Sequence, residues 1–299
     1  MTTLTDASLK GKIRAMARRS NLKPQELLQM YLFEHLLLRL ERSPYADKFI
    51  LKGGLLISSM AGMAQRTTMD MDTTVVGMDM DEATVTEAVK EICSTTIEDG
   101  LDYSFERVEP IREIDEYANW RAHIRVRYGK IDAPIKIDIT TGDKIVPGQT
   151  VYSYPLMFDE GHVSVLSYPL ETVLAEKLET VISRGIANTR GRDFYDIHVL
   201  LNTKRDIIDR AALTAAVTAT AEKRGSTETI SHYDEILEEV RASRTMRDSV
   251  WTPYIRNAPY VGDLKFDDVI DSALELAKMA GLGLDANPID NNSTSNGDR

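Results

Sequence analysis

Three aspartates have the residue type and spacing to hold a divalent metal ion. Asp70 and Asp72 stand two positions apart in a predicted strand, so their carboxylates point to the same face. Asp138 lies on the polar side of a second predicted strand, in which Ile137 and Ile139 alternate with polar residues. If the two strands are neighbours, the three carboxylates converge, and their mutual repulsion favours a bound cation.

Carboxylate oxygens are ligands that Mg²⁺ and Mn²⁺ prefer, and Mg²⁺ also binds phosphate oxygens. Three carboxylates can hold two such ions, one that activates an attacking hydroxyl and one that stabilises a leaving pyrophosphate. Asp138 can also help to take the proton from that hydroxyl. The pattern therefore predicts a metal site made of Asp70, Asp72 and Asp138 that carries out phosphoryl transfer.

A glycine pair precedes these aspartates. Gly53 and Gly54 follow Lys52 and come just before a predicted helix, where backbone N–H groups can approach a phosphate closely. The 16 positions from Gly54 to Asp70 leave room for one helix and a turn. Taken singly, an Asp-x-Asp pair is often a solvated strand end and a glycine pair is often a turn. Their order and spacing together favour a phosphate and metal site.

A lysine interrupts the apolar face of the helix predicted over residues 169–184. That face contains Leu170, Leu174, Leu178 and Val181. Lys177 falls within it, where a charge is costly unless it finds a partner. Two interpretations stay open: the ammonium group reaches the surface along its aliphatic stem, or it projects onto the β- and γ-phosphates of a nucleotide.

Two further aspartates share one face of the next predicted helix. Asp193 stands at the start of that helix, where an acidic residue also stabilises the first turn, and Asp196 lies deeper. Asp196 could orient Lys177 or Arg192, or hold the acceptor. The nearby arginines Arg184, Arg190 and Arg192 could bind phosphates of a nucleotide or of RNA, or could form a solvated basic loop.

The order of these motifs resembles the AbiEii-type nucleotidyltransferase toxin family, within the polymerase-β-like nucleotidyltransferase superfamily. The matching segments are residues 51–54 with 66–72, 136–139, 172–177 and 192–197. The match runs in order from about residue 49 to residue 201. Many superfamily members have a hydroxyl residue where this chain has Gly54, so backbone N–H groups or Ser58 must contact the phosphates instead.

The resemblance implies a role for each matched residue. Asp70, Asp72, Asp138, Lys177 and Asp196 would be catalytic, and the three aspartates at positions 70, 72 and 138 would bind Mg²⁺ (or Mn²⁺). The predicted nucleotide-binding residues are Lys52, Gly53, Gly54, Ser58, Arg66, Arg192 and Asp193.

The resemblance also implies a biological role. The enzyme would transfer a nucleoside monophosphate from a nucleoside triphosphate to an RNA acceptor, the 3′ end of transfer RNA, and so inhibit translation. It would belong to a bacterial toxin–antitoxin or phage-defence system, with a cognate antitoxin, a DNA-binding regulator, as its partner.

Two alternatives remain open at this point. The same fold could nucleotidylate a small molecule or a protein hydroxyl, or the chain could be a non-catalytic nucleotide-binding module. A wide basic groove near Arg184, Arg190 and Arg192 would favour RNA, and a closed pocket would favour a small substrate. Retention of all three carboxylates argues against a non-catalytic module.

The elements that must position these residues change in character along the chain. Strands are predicted at residues 49–51, 69–76, 103–114, 121–128 and 135–139, with helices at 6–19, 24–42, 55–63 and 83–98. Further helices are predicted at 169–184, 192–203, 206–224, 231–247 and 264–280.

This pattern predicts an α/β (α+β) protein. A polymerase-β-like nucleotidyltransferase domain with a mixed sheet would span residues 1–160, and a helical domain would span residues 161–283. Residues 284–299 are polar and predicted to be disordered.

Composition excludes several protein classes. The net charge of −11 over 299 residues argues against a protein that coats nucleic acid by bulk electrostatics. A single cysteine excludes an internal disulfide framework. No segment reaches the ~20 apolar residues of a membrane span, and the first residues lack the pattern of a secretory signal. A cytoplasmic protein that does not associate with membranes is therefore expected.

Overall fold

The computed structural model describes residues 5–111 and 118–283; the tail at 284–299, predicted to be disordered, lies outside the described residues. The strands are β1 (Phe49–Lys52), β2 (Met71–Val75), β3 (Asp102–Pro110), β4 (Trp120–Tyr128), β5 (Ile131–Thr141), β6 (Thr150–Pro155) and β7 (His162–Ser167). The helices before β7 are α1 (Asp6–Ser20), α2 (Pro24–Arg42), α3 (Gly53–Ala61) and α4 (Glu82–Ser94). Those after it are α5 (Leu170–Arg184), α6 (Gly191–Lys204), α7 (Arg210–Arg224), α8 (Thr227–Ser231), α9 (Tyr233–Ala242), α10 (Thr252–Asn257) and α11 (Phe266–Met279).

The strands form one mixed seven-stranded sheet in the order β3-β4-β5-β2-β1-β7-β6. Two pairs are parallel, β2 with β5 and β1 with β7, and the others are antiparallel. Parallel neighbours need a crossover, and here α4, β3 and β4 lie between β2 and β5 in the chain. The confirmed α/β architecture therefore places the Asp70–Asp72 segment directly beside the strand that carries Asp138.

The alternating strands bury one face against helices. In β4, Ala122, Ile124 and Val126 are fully buried, as their alternation with His123 and Arg125 predicts. Helix α4 packs on β3 and β4, and α2 packs on β5 and β7. This layer of helices holds the strands in place, and polar residues of the strands remain available for a site.

The helical half packs directly onto the sheet half. Helix α6 contacts α3, α5 and α11, and α5 contacts α7. Buried apolar residues from both halves belong to one cluster. The sheet continues through β7 to Ser167, beyond residue 160, and the change to helices comes at Leu170. The division into residues 1–160 and 161–283 stays a prediction.

The structure differs from the sequence-based elements at two places. β6 and β7 were not predicted, because they are short and β6 lies at the edge, where most of its side chains stay exposed. The helix predicted over 231–247 begins at Tyr233 and is broken at Ser243, and a π-helical turn, Met246–Trp251, leads into α10. Segment 251–260 begins at the end of this turn and contains α10.

Candidate active site

The glycine pair lies against one of the predicted metal ligands. Gly53 has a φ of +63°, and a Cβ at this position would lie 2.1 Å from Oδ2 of Asp72. The Gly54 N–H donates a hydrogen bond of 3.3 Å to the same oxygen, and a Cβ on Gly54 would lie 2.7 Å from Oγ1 of Thr68. A side chain at Gly53 would therefore displace Asp72, and one at Gly54 would displace the Thr68 side chain.

Strand register brings the predicted carboxylates together. In the parallel pair of β2 and β5, Asp72 is directly opposite Asp138, and Asp70 comes just before β2 begins. Burial raises the pKa of the Asp72 carboxyl above its ordinary value, and the nearby Asp138 and Asp70 add to this against the hydrogen bond from Gly54. The inner strands β2 and β5 therefore bring together carboxylates of like charge.

Asp138 has a positively charged partner that sequence reasoning missed. Arg121 donates two hydrogen bonds of 2.7 Å, one to each oxygen of the Asp138 carboxylate. The antiparallel register of β4 and β5 places the two residues opposite each other. Within residues 5–111 and 118–283, no three His, Cys, Asp or Glu side chains are already arranged around a metal position. The carboxylates are adjacent, but Asp138 has to leave Arg121, at least in part, to bind an ion.

Lys52 is paired and does not point freely toward the glycines. Its ammonium group donates to Oγ1 of Thr140 at 2.8 Å and to Oδ2 of Asp143 at 2.5 Å, and Lys223 contacts the other oxygen of Asp143. Burial alone would raise the pKa of Asp143, but Lys52 and Lys223 outweigh it and hold that pKa well below the ordinary range. Asp143 has no motif around it, so sequence reasoning missed it.

The lysine on α5 meets both aspartates on α6. Nζ of Lys177 lies 2.6 Å from Oδ1 of Asp193 and 2.9 Å from Oδ2 of Asp196. Arg66, which precedes the Asp-x-Asp segment, donates from Nε to Oδ1 of Asp196 at 2.8 Å. Lys177 is therefore not a surface lysine that is solvated by water alone, and Asp193 does more than stabilise the first turn of its helix.

This ion cluster is buried and charge-balanced. Arg66 is 1% exposed and Asp196 is fully buried. Burial alone would raise the pKa of Asp196, but Arg66 and Lys177 outweigh it and lower that pKa to about 2. Burial likewise works against the charge on Lys177, but Asp196 and Asp193 outweigh it and raise the lysine pKa. The cluster holds Lys177 charged and joins the Asp-x-Asp segment to the helical half.

Arg192 lies across a cleft from Asp70. The cleft has a volume of about 240 Å³ and is lined by Glu26, Thr67, Thr68, Met69, Asp70, Arg192, Tyr254, Asn257, Ala258 and Tyr260. Arg184, at the end of α5, and Arg190, on the loop before α6, are exposed but do not line this cleft. The two tyrosines were not identified from the sequence, where nothing in segment 251–260 resembles a functional motif.

Ser58 is the predicted site residue that the structure does not bring to the site. It is fully buried within α3, and its hydroxyl donates to the carbonyl of Gly54 at 2.8 Å. A hydroxyl bonded to its own helix and closed off from solvent cannot contact a phosphate in this arrangement. The prediction that Ser58 binds nucleotide is therefore corrected, and the backbone N–H groups at Gly53 and Gly54 remain the candidates.

A family model described as "Nucleotidyl transferase AbiEii toxin, Type IV TA system" matches residues 35–272. That range includes every predicted catalytic residue. The chain belongs to the AbiEii nucleotidyltransferase toxin family. It is therefore an enzyme, a nucleotidyltransferase, and a toxin of a type IV toxin–antitoxin family. Membership implies a nucleoside triphosphate as substrate, a divalent metal ion as cofactor and an antitoxin as partner.

The chain is also similar to solved structures. MenT4, a nucleotidyltransferase toxin from Mycobacterium tuberculosis H37Rv, is 17% identical with a TM-score of 0.49, and the match covers 90% of this chain and 98% of that one. JHP933 from Helicobacter pylori is 16% identical with a TM-score of 0.48, covering 87% and 92%. The family assignment rests on the family model and not on these likenesses.

No curated protein sequence matches the chain. Among the described residues, none of the helices combines the length and the apolar character needed to cross a membrane.

Proposed function

We propose that this AbiEii-family enzyme uses Mg²⁺ (or Mn²⁺) to transfer a nucleoside monophosphate to an RNA acceptor, the 3′ end of transfer RNA, and thereby stops translation. The observation that carries the proposal is the register of β2 and β5. It sets Asp72 opposite Asp138, with Asp70 just before the strand and Gly53–Gly54 against the Asp72 carboxylate. A bacterial toxin–antitoxin system for phage defence, controlled by a DNA-binding antitoxin, is the proposed setting.

The donor set fits a divalent ion of the magnesium type. Asp70, Asp72 and Asp138 supply only oxygen ligands. The pKa of Asp72 is raised mainly by burial, and the nearby negative charges of Asp138 and Asp70, which a cation would balance, add to it. When bound, such an ion neutralises phosphate charge and lowers the pKa of an attacking hydroxyl. These three side chains would hold it, with Asp138 exchanging its contact with Arg121 for the ion.

The other residues have roles in binding and proton transfer. The N–H groups at Gly53 and Gly54, together with Lys52 and Lys177, would hold the triphosphate, and Asp196 keeps Lys177 in position. Asp138 would accept the proton of the acceptor hydroxyl. The hydroxyl oxygen then bonds to the α-phosphorus, the bond from that phosphorus to the bridging oxygen breaks, and pyrophosphate leaves. Positioning and charge neutralisation supply most of the catalysis.

RNA is proposed as the acceptor because of the charge beside the cleft. The protein as a whole is acidic, yet Arg192 lines the cleft that contains Asp70. Arg184, at the end of α5, and Arg190, on the loop before α6, are exposed. A local basic group of this kind suits one phosphate-bearing end of a nucleic acid. A small uncharged acceptor would not need it.

The test is a transfer assay. Purified protein and Mg²⁺ are incubated with each α-³²P-labelled nucleoside triphosphate and total RNA, and the products are separated by size. We expect label on species of transfer-RNA size, and the treated RNA should fail to support translation in a cell-free extract. Asp72→Asn should reduce labelling by at least ~10³-fold, whereas Asp79→Asn, an exposed residue with the same charge change, should not.

The outcomes separate the alternatives. Label on protein or on a small molecule, with none on RNA, would contradict the proposed acceptor but keep the enzyme assignment. Transfer by Asp72→Asn at the unmutated rate would contradict the metal site.

A further inference from the structure

The cleft beside Asp70 has an aromatic wall that the transfer chemistry does not use. Tyr254 on α10 and Tyr260 in the turn that follows both line it, opposite the catalytic segment. Both side chains are half-buried, so part of each ring faces the open space. By their position, Tyr254 and Tyr260 therefore belong to the site, although neither matches a nucleotidyltransferase motif.

Packing holds these rings in place. Tyr254 rests on the first residue of α6: a Cβ on Gly191 would lie 2.9 Å from Cβ of Tyr254. The two hydroxyls are 3.4 Å apart, and the ring of Tyr195 lies 6.0 Å from that of Tyr254 and 5.6 Å from that of Tyr260. Trp251 packs on the far side of Tyr254 at 5.6 Å. Rings fixed in this way lose little side-chain freedom when a ligand binds.

The cleft is separate from the place proposed for the triphosphate. Lys52, Gly53, Gly54 and Lys177 are all within the described part of the chain, and none of them lines the cleft. Asp70 does line it. A nucleotide with its phosphates at the glycines and its reacting phosphorus at the aspartates would extend from Asp70 into this space. The same holds for an acceptor whose hydroxyl approaches the reacting phosphorus.

The lining matches the chemistry of a nucleoside. Aromatic faces stack on nucleobases, the guanidinium of Arg192 can contact an attached phosphate, and Thr67 and Asn257 offer hydrogen-bonding groups. The volume of about 240 Å³ is below the ~300–1,000 Å³ of sites for drug-sized ligands. It suits one unpaired base and excludes a duplex.

We propose that Tyr254 and Tyr260 form a nucleobase-binding wall at the catalytic centre, with Arg192 contacting the adjoining phosphate. The proposal rests on the proposed function for the position of the reacting groups. The base can come from the nucleoside triphosphate or from the terminal nucleotide of the RNA, and the experiment distinguishes these two sources.

The experiment measures binding by equilibrium dialysis in the presence of Mg²⁺. Two labelled probes are used separately, the four nucleoside triphosphates and a total transfer RNA preparation. The variant Tyr254→Leu/Tyr260→Leu removes both aromatic faces, and Tyr254→Phe/Tyr260→Phe keeps them as the matched control. Thermal unfolding checks that each variant is folded, and the single Leu variants replace the double one if it is not.

We expect the Leu variant to bind one probe about tenfold more weakly while the Phe variant stays within twofold of the unmutated protein. Weaker binding of a triphosphate assigns the wall to the incoming base, and weaker binding of RNA alone assigns it to the acceptor. Unchanged affinity for both probes would overturn the proposal. An equal loss in the Phe and Leu variants would also overturn it, because the hydroxyls and not the rings would then be responsible.

A second measurement needs no substitution in the wall. Hydrogen exchange of the unmutated chain should slow in segment 251–260 when the effective probe is added, and no change there with either probe would contradict the proposal. If the protein binds triphosphates but neither binds nor labels RNA, the RNA part of the proposed function fails, and the triphosphate arm alone decides the role of the wall.

Discussion

Two groups of charged residues in this enzyme differ in how their charges are balanced. On two inner strands of the sheet, Asp72 lies opposite Asp138, and the pKa of Asp72 is raised by burial and, to a smaller extent, by this neighbour of like charge. In the ion cluster, Arg66 and Lys177 surround Asp196, and the pKa of that carboxyl is lowered to about 2. In the first group Arg121 pairs with Asp138, and the proposed metal ion would balance the remaining carboxylate charge, whereas the second group already contains its own cations.

This difference separates residues that serve chemistry from residues that serve placement. Carboxylates held close together raise the free energy of the folded protein until an ion binds, which is typical of catalytic sites. In a buried and balanced cluster, the attraction between the partners offsets the cost of burying them, and removing one member is strongly destabilising because it leaves an uncompensated charge. The cluster holds Lys177 in a charged state between Asp193 and Asp196, whereas the carboxylates at β2 and β5 are the proposed metal ligands.

The largest expected contrast is in stability. Asp196→Ala leaves Arg66 and Lys177 buried without their shared partner, and should lower the free energy of unfolding by about 3–5 kcal/mol. The matched variant Asp72→Ala removes one of two neighbouring like charges and should change it by no more than about 0.5 kcal/mol, or raise it. Urea unfolding without metal measures both, and equal losses would contradict the comparison.

The next contrast is in pH dependence. Asp196 has an ordinary pKa of 3.8 and a folded value of about 2, so its ionised form stabilises the folded protein. That contribution, about 2 kcal/mol, is complete above pH 4 and is lost as the pH falls toward 2. Unfolding measured between pH 5 and 2 should show a smaller decrease for Asp196→Asn than for the unmutated protein, and parallel curves would show that Asp196 is not the group responsible.

A smaller effect is expected at Arg121, which would compete with a metal ion for the Asp138 carboxylate. Arg121→Gln removes the two hydrogen bonds to that carboxylate and should strengthen Mn²⁺ binding by roughly fivefold, about 1 kcal/mol, because the pair is partly exposed. Arg125→Gln is the control, since Arg125 lies on the same strand but pairs with Glu106. Calorimetric titration with Mn²⁺ measures both variants, and weaker binding by Arg121→Gln would mean that Arg121 positions the metal ligand.

The smallest effect is expected at Ser58. Ser58→Ala removes a hydroxyl that is bonded only to its own helix, so affinity for the nucleoside triphosphate should change by less than about twofold. Ser59→Ala, whose hydroxyl pairs with Tyr152, is the neighbouring control. A tenfold loss confined to Ser58→Ala in the dialysis experiment would restore Ser58 as a nucleotide-binding residue.

Short-range patterns in the sequence predicted much of the site. Two aspartates two positions apart on a strand must share a face, and a lysine on an apolar helix face must either find a partner or reach the surface along its stem. Gly53 and Gly54 likewise indicate a close backbone approach, which the structure shows to be with Asp72. These inferences hold because they depend on backbone periodicity and on the cost of burying charge, which are local properties.

Contacts between distant segments required the tertiary structure. Alternation places Asp138 on the polar face of its strand but does not say which strand lies beside it, and the parallel pairing of β2 with β5 decides that. Tertiary contacts likewise decide that Arg121 pairs with Asp138 and that Tyr254 lines the same cleft as Asp70. The sequence by itself determined the types of residue and the faces they occupy. The packing of segments far apart in the chain decided which of them meet, because many pairings satisfy the same local pattern and only the complete core selects one.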